Sequence, residues 1–177
     1  MEARGSVRPL RLVDTNVLVY RHDPRFPEKQ ELATQLLGRG PRDGDLVLPH
    51  QAIVELVSAV SRPRGDLDGR SLLERTEALQ VAEKLLQLFP VLCPDEDVVR
   101  TACRGMASYQ LSWWDAHLWA YAEANGVPEI LSEEFEHGRY YGAVRLVDPF
   151  VSLSGEIAEL PAMYESAGDS VTSRSRP

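Results

Sequence analysis

In RLVDTNVLVY, residues 11–20, an acid, a hydroxyl and an amide interrupt an otherwise apolar run as Asp14, Thr15 and Asn16. The preceding apolar residues 10–13 are few and bounded, as expected of a parallel strand buried on both faces. Asp14 then stands at the carboxyl end of a strand, the edge along which open α/β sheets bind ligands. The same residue types cap helices, here one starting near Val17. Taken alone, Asp14 is open to both readings.

Glu55 raises a similar question inside a helix expected over residues 51–61. Ile53, Leu56, Val57 and Val60 form its core stripe, and Glu55 lies at the edge of that stripe beside Ala52 and Ala59. Its carboxylate is either an ordinary boundary charge or one aimed toward the body of the protein. Asp115 belongs to Ser112-Trp113-Trp114-Asp115, a capping box that needs no catalysis. If its helix leads back to the strand EILSE, Asp115 also sits at the sheet's carboxyl edge. Glu133 and Glu134 follow Ser132 at the end of that strand.

Capping does not cover acids from all of these places together. Gathering them without a cation costs mutual repulsion and desolvation. A hard divalent cation such as Mg²⁺ or Mn²⁺ removes that cost, because it takes carboxylate oxygens and water, with substrate phosphate completing its shell. Such ions polarise phosphoryl oxygens and lower the pKa of water. Other hydrolytic chemistries lack their residues: the chain has no HExxH, GxSxG or GxxxxGK[ST] pattern, and His22, His50, His117 and His137 lack metal-ligand spacing.

The elements that must position these acids alternate between strand and helix. A helix is expected from Pro27 with Gly38 and Gly40 as stops, then a buried strand in DLVLPH, the helix 51–61 ended by Pro63, and a loop over 63–70. A long amphipathic helix spans 71–89, the short apolar piece PVLCP follows, and helices are expected over 95–109 and 112–125, the last closed by Gly126 and Pro128. EILSE and AVRLVDPF read as final strands. Alternation of this kind predicts an α/β domain with a mostly parallel sheet. It occupies residues 10–150, after a lead-in over 1–9. Residues 151–177 read as a mobile tail, rich in Ser, Gly and charge, with a short helix around Gly155 to Leu160 as its one structured candidate.

Composition bounds the partners. The chain has 177 residues, 44% of them hydrophobic, enough for one compact domain. A formal charge of −8 provides no global field for nucleic acid, so any such binding needs local patches. Of 19 basic residues only Lys29 and Lys84 are lysines; the others are arginines, suited to bidentate phosphate contacts and equally to surface pairing. Cys93 and Cys103 form no CxxC pair or disulfide framework, which suggests a reducing, cytoplasmic location. Apolar runs fall short of the roughly 20 residues a membrane-spanning helix needs.

With these residues in view, the chain resembles the PIN-domain ribonucleases, and within them the VapC-type toxins of bacterial toxin–antitoxin pairs. LVDTNVLVY is similar to the family's opening strand with its first metal acid and Thr-Asn. QAIVELVSAVSRP is similar to the helix carrying the second acid, and residues 111–150 to the closing third with the third and fourth. The resemblance implies a three-layer α/β/α fold, cleavage of RNA phosphodiesters with Mg²⁺ or Mn²⁺, homodimerisation, and neutralisation by a small antitoxin. It maps Asp14 and Asp115 to the principal ligands and Glu55 to completing the shell or orienting the attacking water. Glu134 with Ser132 positions water, and Asn16 bonds the cluster. The family places aspartate where this chain has Glu134; either its longer arm reaches the metal or Glu133 substitutes.

Arg62 and Arg64 lie roughly 10 Å beyond Glu55 at 1.5 Å per residue, within reach of flanking phosphates, and they equally suit a helix C-terminus. Trp113 and Trp114 are expected to fill core or a dimer surface more than to stack bases. Alternatives of other kinds are a PIN-fold nuclease for RNA processing outside a toxin–antitoxin pair, and a degenerate scaffold that binds RNA or protein without cleaving.

Overall fold

The structure is a computed structural model that describes residues 9–153. Its strands are β1 (Arg11–Val13), β2 (Leu46–Pro49), β3 (Val91–Leu92), β4 (Glu129–Leu131), β5 (Tyr140–Tyr141) and β6 (Val144–Val147). They form one six-stranded sheet in the order β3-β2-β1-β4-β6-β5. All neighbours are parallel except β5, which pairs antiparallel with β6 at the edge. Leu12 stands beside Val47 of β2 and Ile130 of β4, fixing the register of the three central strands.

Side chains of successive strand residues point to opposite faces, and here both sets are apolar. Val13, Leu46, Leu48 and Leu131 pack into one core with α1 (Thr15–Tyr20), α2 (Pro27–Asp43), α3 (His50–Ser61) and α4 (Arg75–Leu88). Leu12, Val47, Ile130 and Leu146 pack into the other with α5 (Glu96–Tyr109) and α6 (Trp113–Ala124). A sheet apolar on both faces requires helices on both, which gives the three-layer α/β/α arrangement expected from the sequence.

Chain order places the crevice. β1, β2 and β3 extend the sheet one way, and the chain then returns through α5 and α6 to set β4 on the other side of β1. Strand order therefore reverses between β1 and β4, and at such a switch point the loops leaving the two carboxyl ends part and leave an opening.

Several boundaries differ from expectation for identifiable reasons. α1 begins at Thr15, two residues before Val17, because Asp14 itself is the N-cap. α2 does not stop at Gly38 or Gly40 but runs through Pro41 to Asp43, ending at Gly44 in the left-handed conformation. Gly40 is a packing residue: a Cβ there would stand 2.5 Å from Leu46 Cδ1 and 2.9 Å from Phe89 Cε1. α4 starts at Arg75 and not at Ser71, since Glu74 and Glu77 form the reciprocal capping box. Trp113 and Trp114 are not core residues; they are 40% and 64% exposed, with the first turn of α6 lifting them clear of the sheet. A 3₁₀ turn, Val151–Leu153, follows β6, and the expected helix near Gly155 lies outside the described residues. Cys93 and Cys103 are both free and exposed. Among the described residues no helix is long and apolar enough to cross a membrane.

Candidate active site

Asp14 directly follows β1 and Ser132 directly follows β4, so parallel pairing sets them side by side at the switch point. The Asp14 N–H donates to the Leu131 carbonyl at 3.0 Å, continuing the ladder to the site itself. Asp14 Oδ1 accepts the Thr15 N–H at 2.6 Å, and Oδ2 accepts Asn16 Nδ2 at 2.7 Å and the Ser132 hydroxyl at 2.6 Å. Both sequence readings of Asp14 thus meet in one side chain, which caps α1 and stands among acids. Ser132 is fully buried; besides donating to Asp14, its Oγ accepts Asn16 Nδ2 and the Glu134 N–H, each at 3.1 Å.

Glu55 reaches the same place from α3. The Thr15 hydroxyl donates to its Oε2 at 2.7 Å and Gln51 Nε2 to its Oε1 at 3.0 Å, so the carboxylate points inward and is held at both oxygens. Glu133 and Glu134 part company. Glu133 accepts from the Tyr20 hydroxyl and from Lys29 Nζ, whereas among the described residues no cation pairs with Glu134. Asp14, Glu55, Glu133 and Glu134 line one groove of about 490 Å³.

The electrostatics of this groove are unfavourable by themselves. Burial pushes the Asp14 carboxyl up to about 7, against the lowering effect of the Ser132 and Thr15 hydrogen bonds, and the charges of Glu134 and Glu55 add to the rise. Glu134 is raised by burial and then by the charges of Asp115, Glu133 and Glu55. Asp115 is therefore close enough to act on Glu134, but it does not line the groove with Asp14. Its Oδ2 accepts the Ser112 hydroxyl at 2.8 Å, while its backbone N–H donates to Ser112 Oγ at 3.2 Å, which makes Ser112 the N-cap of α6.

Among the described residues no three His, Cys, Asp or Glu side chains stand in a ready metal-holding cluster. The oxygens of Asp14 and Asp115 are engaged by Thr15, Asn16, Ser132 and Ser112 instead. The donor set nevertheless fits a hard divalent cation: its members are carboxylates, they repel one another, and Asn16 Oδ1 is a buried acceptor with no partner among the described residues.

Of the two arginines singled out from the sequence, Arg64 lines the groove and Arg62, just past α3, is exposed and does not. Sequence reasoning missed Asp23, Arg25 and Asp66 on the same wall, and the Tyr20–Lys29 pair that engages Glu133. The only signal for the first was spacing: Asp23-Pro24-Arg25 is a turn in which acid and base meet two residues apart.

The sequence profile of the PIN domain matches residues 11–142. Solved structures of similar fold include the DNA-bound VapBC complex of Salmonella typhimurium, with TM-score 0.58 and 14% identity, covering 80% of this chain and 98% of that one. FitAcB from Neisseria gonorrhoeae has TM-score 0.55 and 20% identity, covering 80% and 99%. The sarcin–ricin loop cleaving toxin VapC20 of Mycobacterium tuberculosis has TM-score 0.50 and 16% identity, covering 68% and 86%. At these identities the likeness is one of fold. No curated protein matches the sequence.

Proposed function

The chain belongs to the PIN-domain family, and from that premise we propose that it is a metal-dependent endoribonuclease and the toxin of a toxin–antitoxin pair. The observation that carries this reading is the groove at the β1/β4 switch point, where Asp14, Glu55 and Glu134 face one space and Asp14 is raised to about 7. A ligand that neutralises them is the simplest reason to hold such charges together.

Asp14, Glu55, Asp115 and Glu134 would hold Mg²⁺ or Mn²⁺, which when bound supplies charge neutralisation at the phosphate and a lowered pKa for water. The chain's own residues do the rest. Ser132 and Asn16 orient Asp14 through Oδ2, while Oδ1 takes only the Thr15 N–H and keeps a lone pair for the cation. The Thr15 hydroxyl fixes one oxygen of Glu55 and Gln51 steadies the other; so held, Glu55 would complete the shell or orient the attacking water. Ser132 also holds the backbone of Glu134, which places that carboxylate over the groove. Arg64 contacts a phosphate beside the one cleaved.

A small antitoxin and a homodimer follow as partners on this reading. Support for the antitoxin comes from a fold neighbour solved as a toxin–antitoxin complex, that of Klebsiella pneumoniae. The test is incubation of the purified protein with a pool of structured RNAs, with Mg²⁺ or Mn²⁺ and with EDTA, alongside Asp14→Asn. Endonucleolytic products that need the metal and vanish in the variant are expected. Cleavage that survives chelation, or equals the wild type in the variant, overturns the reading.

A further inference from the structure

Besides the acids proposed to hold the metal, the lining of the groove carries an ion-pair arrangement with no part in water activation. Arg25 is fixed from behind by Asp23, which is 2% exposed: Nε donates to Oδ1 at 2.8 Å and Nη2 to Oδ2 at 2.5 Å, a bidentate fork on a buried carboxylate. The remaining edge of the guanidinium, Nη1, turns toward the groove mouth and is taken by Asp66, which sits on the exposed 3₁₀ turn Gly65–Leu67 at 59% exposure. Arg64 directly precedes that turn, lines the same groove, and has a buried Nε with no hydrogen-bond partner among the described residues.

Two guanidinium groups at the mouth of an acidic groove, one already locked in orientation and the other with an unused donor, match the planar, multi-oxygen chemistry of a phosphodiester. With a net charge of −8 the protein attracts a polyanion only through such a local patch. Asp66 presents an anion to the free edge of Arg25 from an exposed turn that can move without disturbing either core. We propose that Arg25 and Arg64 form the subsite for an RNA backbone phosphate next to the scissile one, and that Asp66 closes that subsite in the free protein until the strand displaces it. The inference rests on the ribonuclease reading and adds to the Arg64 contact a second guanidinium, that of Arg25, and an internal competitor.

The test uses the full chain and a ten-nucleotide, mixed-sequence oligoribonucleotide, with binding read in EDTA by fluorescence anisotropy across a salt series and cleavage read in Mn²⁺. Asp66→Asn is compared with Asp68→Asn, which removes a charge from the same turn outside the groove at a left-handed residue that Asn tolerates. Asp66→Asn is expected to bind at least about threefold more tightly than Asp68→Asn, with a salt slope steeper by roughly one, and to lower KM without changing kcat. Arg64→Gln, and Asp23→Asn combined with Arg25→Gln so that no buried charge is stranded, are expected to weaken binding and flatten the slope. Equal behaviour of the two Asn variants shows a net-charge effect only and overturns the latch. If the wild type cleaves RNA while the arginine variants bind it unchanged, the subsite fails and the ribonuclease reading stands. If the wild type neither binds nor cleaves, both fail.

Discussion

Ser132 donates its hydroxyl hydrogen to Asp14 across 2.6 Å, joining two strand ends that lie 118 residues apart in the chain. The contact exists because β1 and β4 are parallel neighbours in register, so that the residues following Val13 and Leu131 emerge together. Ser132 also accepts from Asn16 and from the Glu134 backbone, which uses its one donor and both acceptor positions.

Ser132→Ala therefore leaves a fully buried site with its hydrogen-bond hub removed. A loss of about 1–3 kcal/mol in urea unfolding is expected, with an unchanged m-value. Because Asp14 and Glu134 lose a common brace, kcat is expected to fall by about tenfold or more, with a smaller change in KM. An unchanged kcat at normal stability contradicts the bracing role.

The pH dependence of stability follows from Asp14. Its ordinary pKa is 3.8 and its folded value about 7, so between these pH values the native state holds a proton that the unfolded chain has released. Stability in EDTA accordingly declines as pH rises from about 4 to about 7 and levels off above. Asp14→Asn removes this component. The stability of the variant relative to the wild type is expected to rise by about 2 kcal/mol between pH 5 and pH 8. Parallel pH profiles for the two proteins contradict it.

Metal binding is readable without activity. Mn²⁺ at about 100 times its Kd is expected to add about 2.7 kcal/mol to the native state, raising the wild-type Tm by about 5 °C or more. The Asp14→Asn protein is expected to shift by less than half as much. Equal shifts place the cation elsewhere on this acidic surface.

The strand-ending acid Asp14 was legible because a short apolar run with a polar terminus has few interpretations, and the parallel sheet was legible because both faces of each run are apolar. What one-dimensional reading misjudged depended on distant neighbours. Gly40 looked like a helix stop and is a point of close approach to Leu46 and Phe89. Trp113 and Trp114 were expected in the core or on a dimer surface because tryptophan buries large area, and they lie outside the core, exposed at the start of α6. The hairpin strand Tyr140–Tyr141 was invisible because two residues carry no period. At the site, the end of β4 was expected to offer Glu134 as the fourth acid, with Glu133 as the alternative. Their difference comes from Tyr20 and Lys29, more than a hundred residues away.

The Thr15 hydroxyl is the group that holds Glu55, donating to Oε2 at 2.7 Å. Thr15→Val keeps the β-branched shape and removes the donor, whereas Thr15→Ser keeps the donor. A kcat loss of about tenfold in the valine variant, restored to within about threefold by serine, is expected from the positioning of Glu55. Equal loss in both variants means that packing of the methyl group, and not the hydrogen bond, matters at this position.

Glu133 and Glu134 line the same groove, and their surroundings assign them opposite roles. Glu133 is neutralised by Lys29 and bonded by Tyr20, so Glu133→Gln removes an already compensated charge. Its expected effect on cleavage is less than about threefold, with a loss of about 1 kcal/mol in stability from the part-buried ion pair. Glu134 has acids around it and, among the described residues, no paired cation, and burial raises its pKa further. Glu134→Gln is expected to lower kcat by about a hundredfold and to reduce the Mn²⁺-induced rise in Tm, since a group held among like charges does its work only when a cation joins them. The reverse ranking assigns the fourth acid to Glu133, with Lys29 as the group it must leave to serve there.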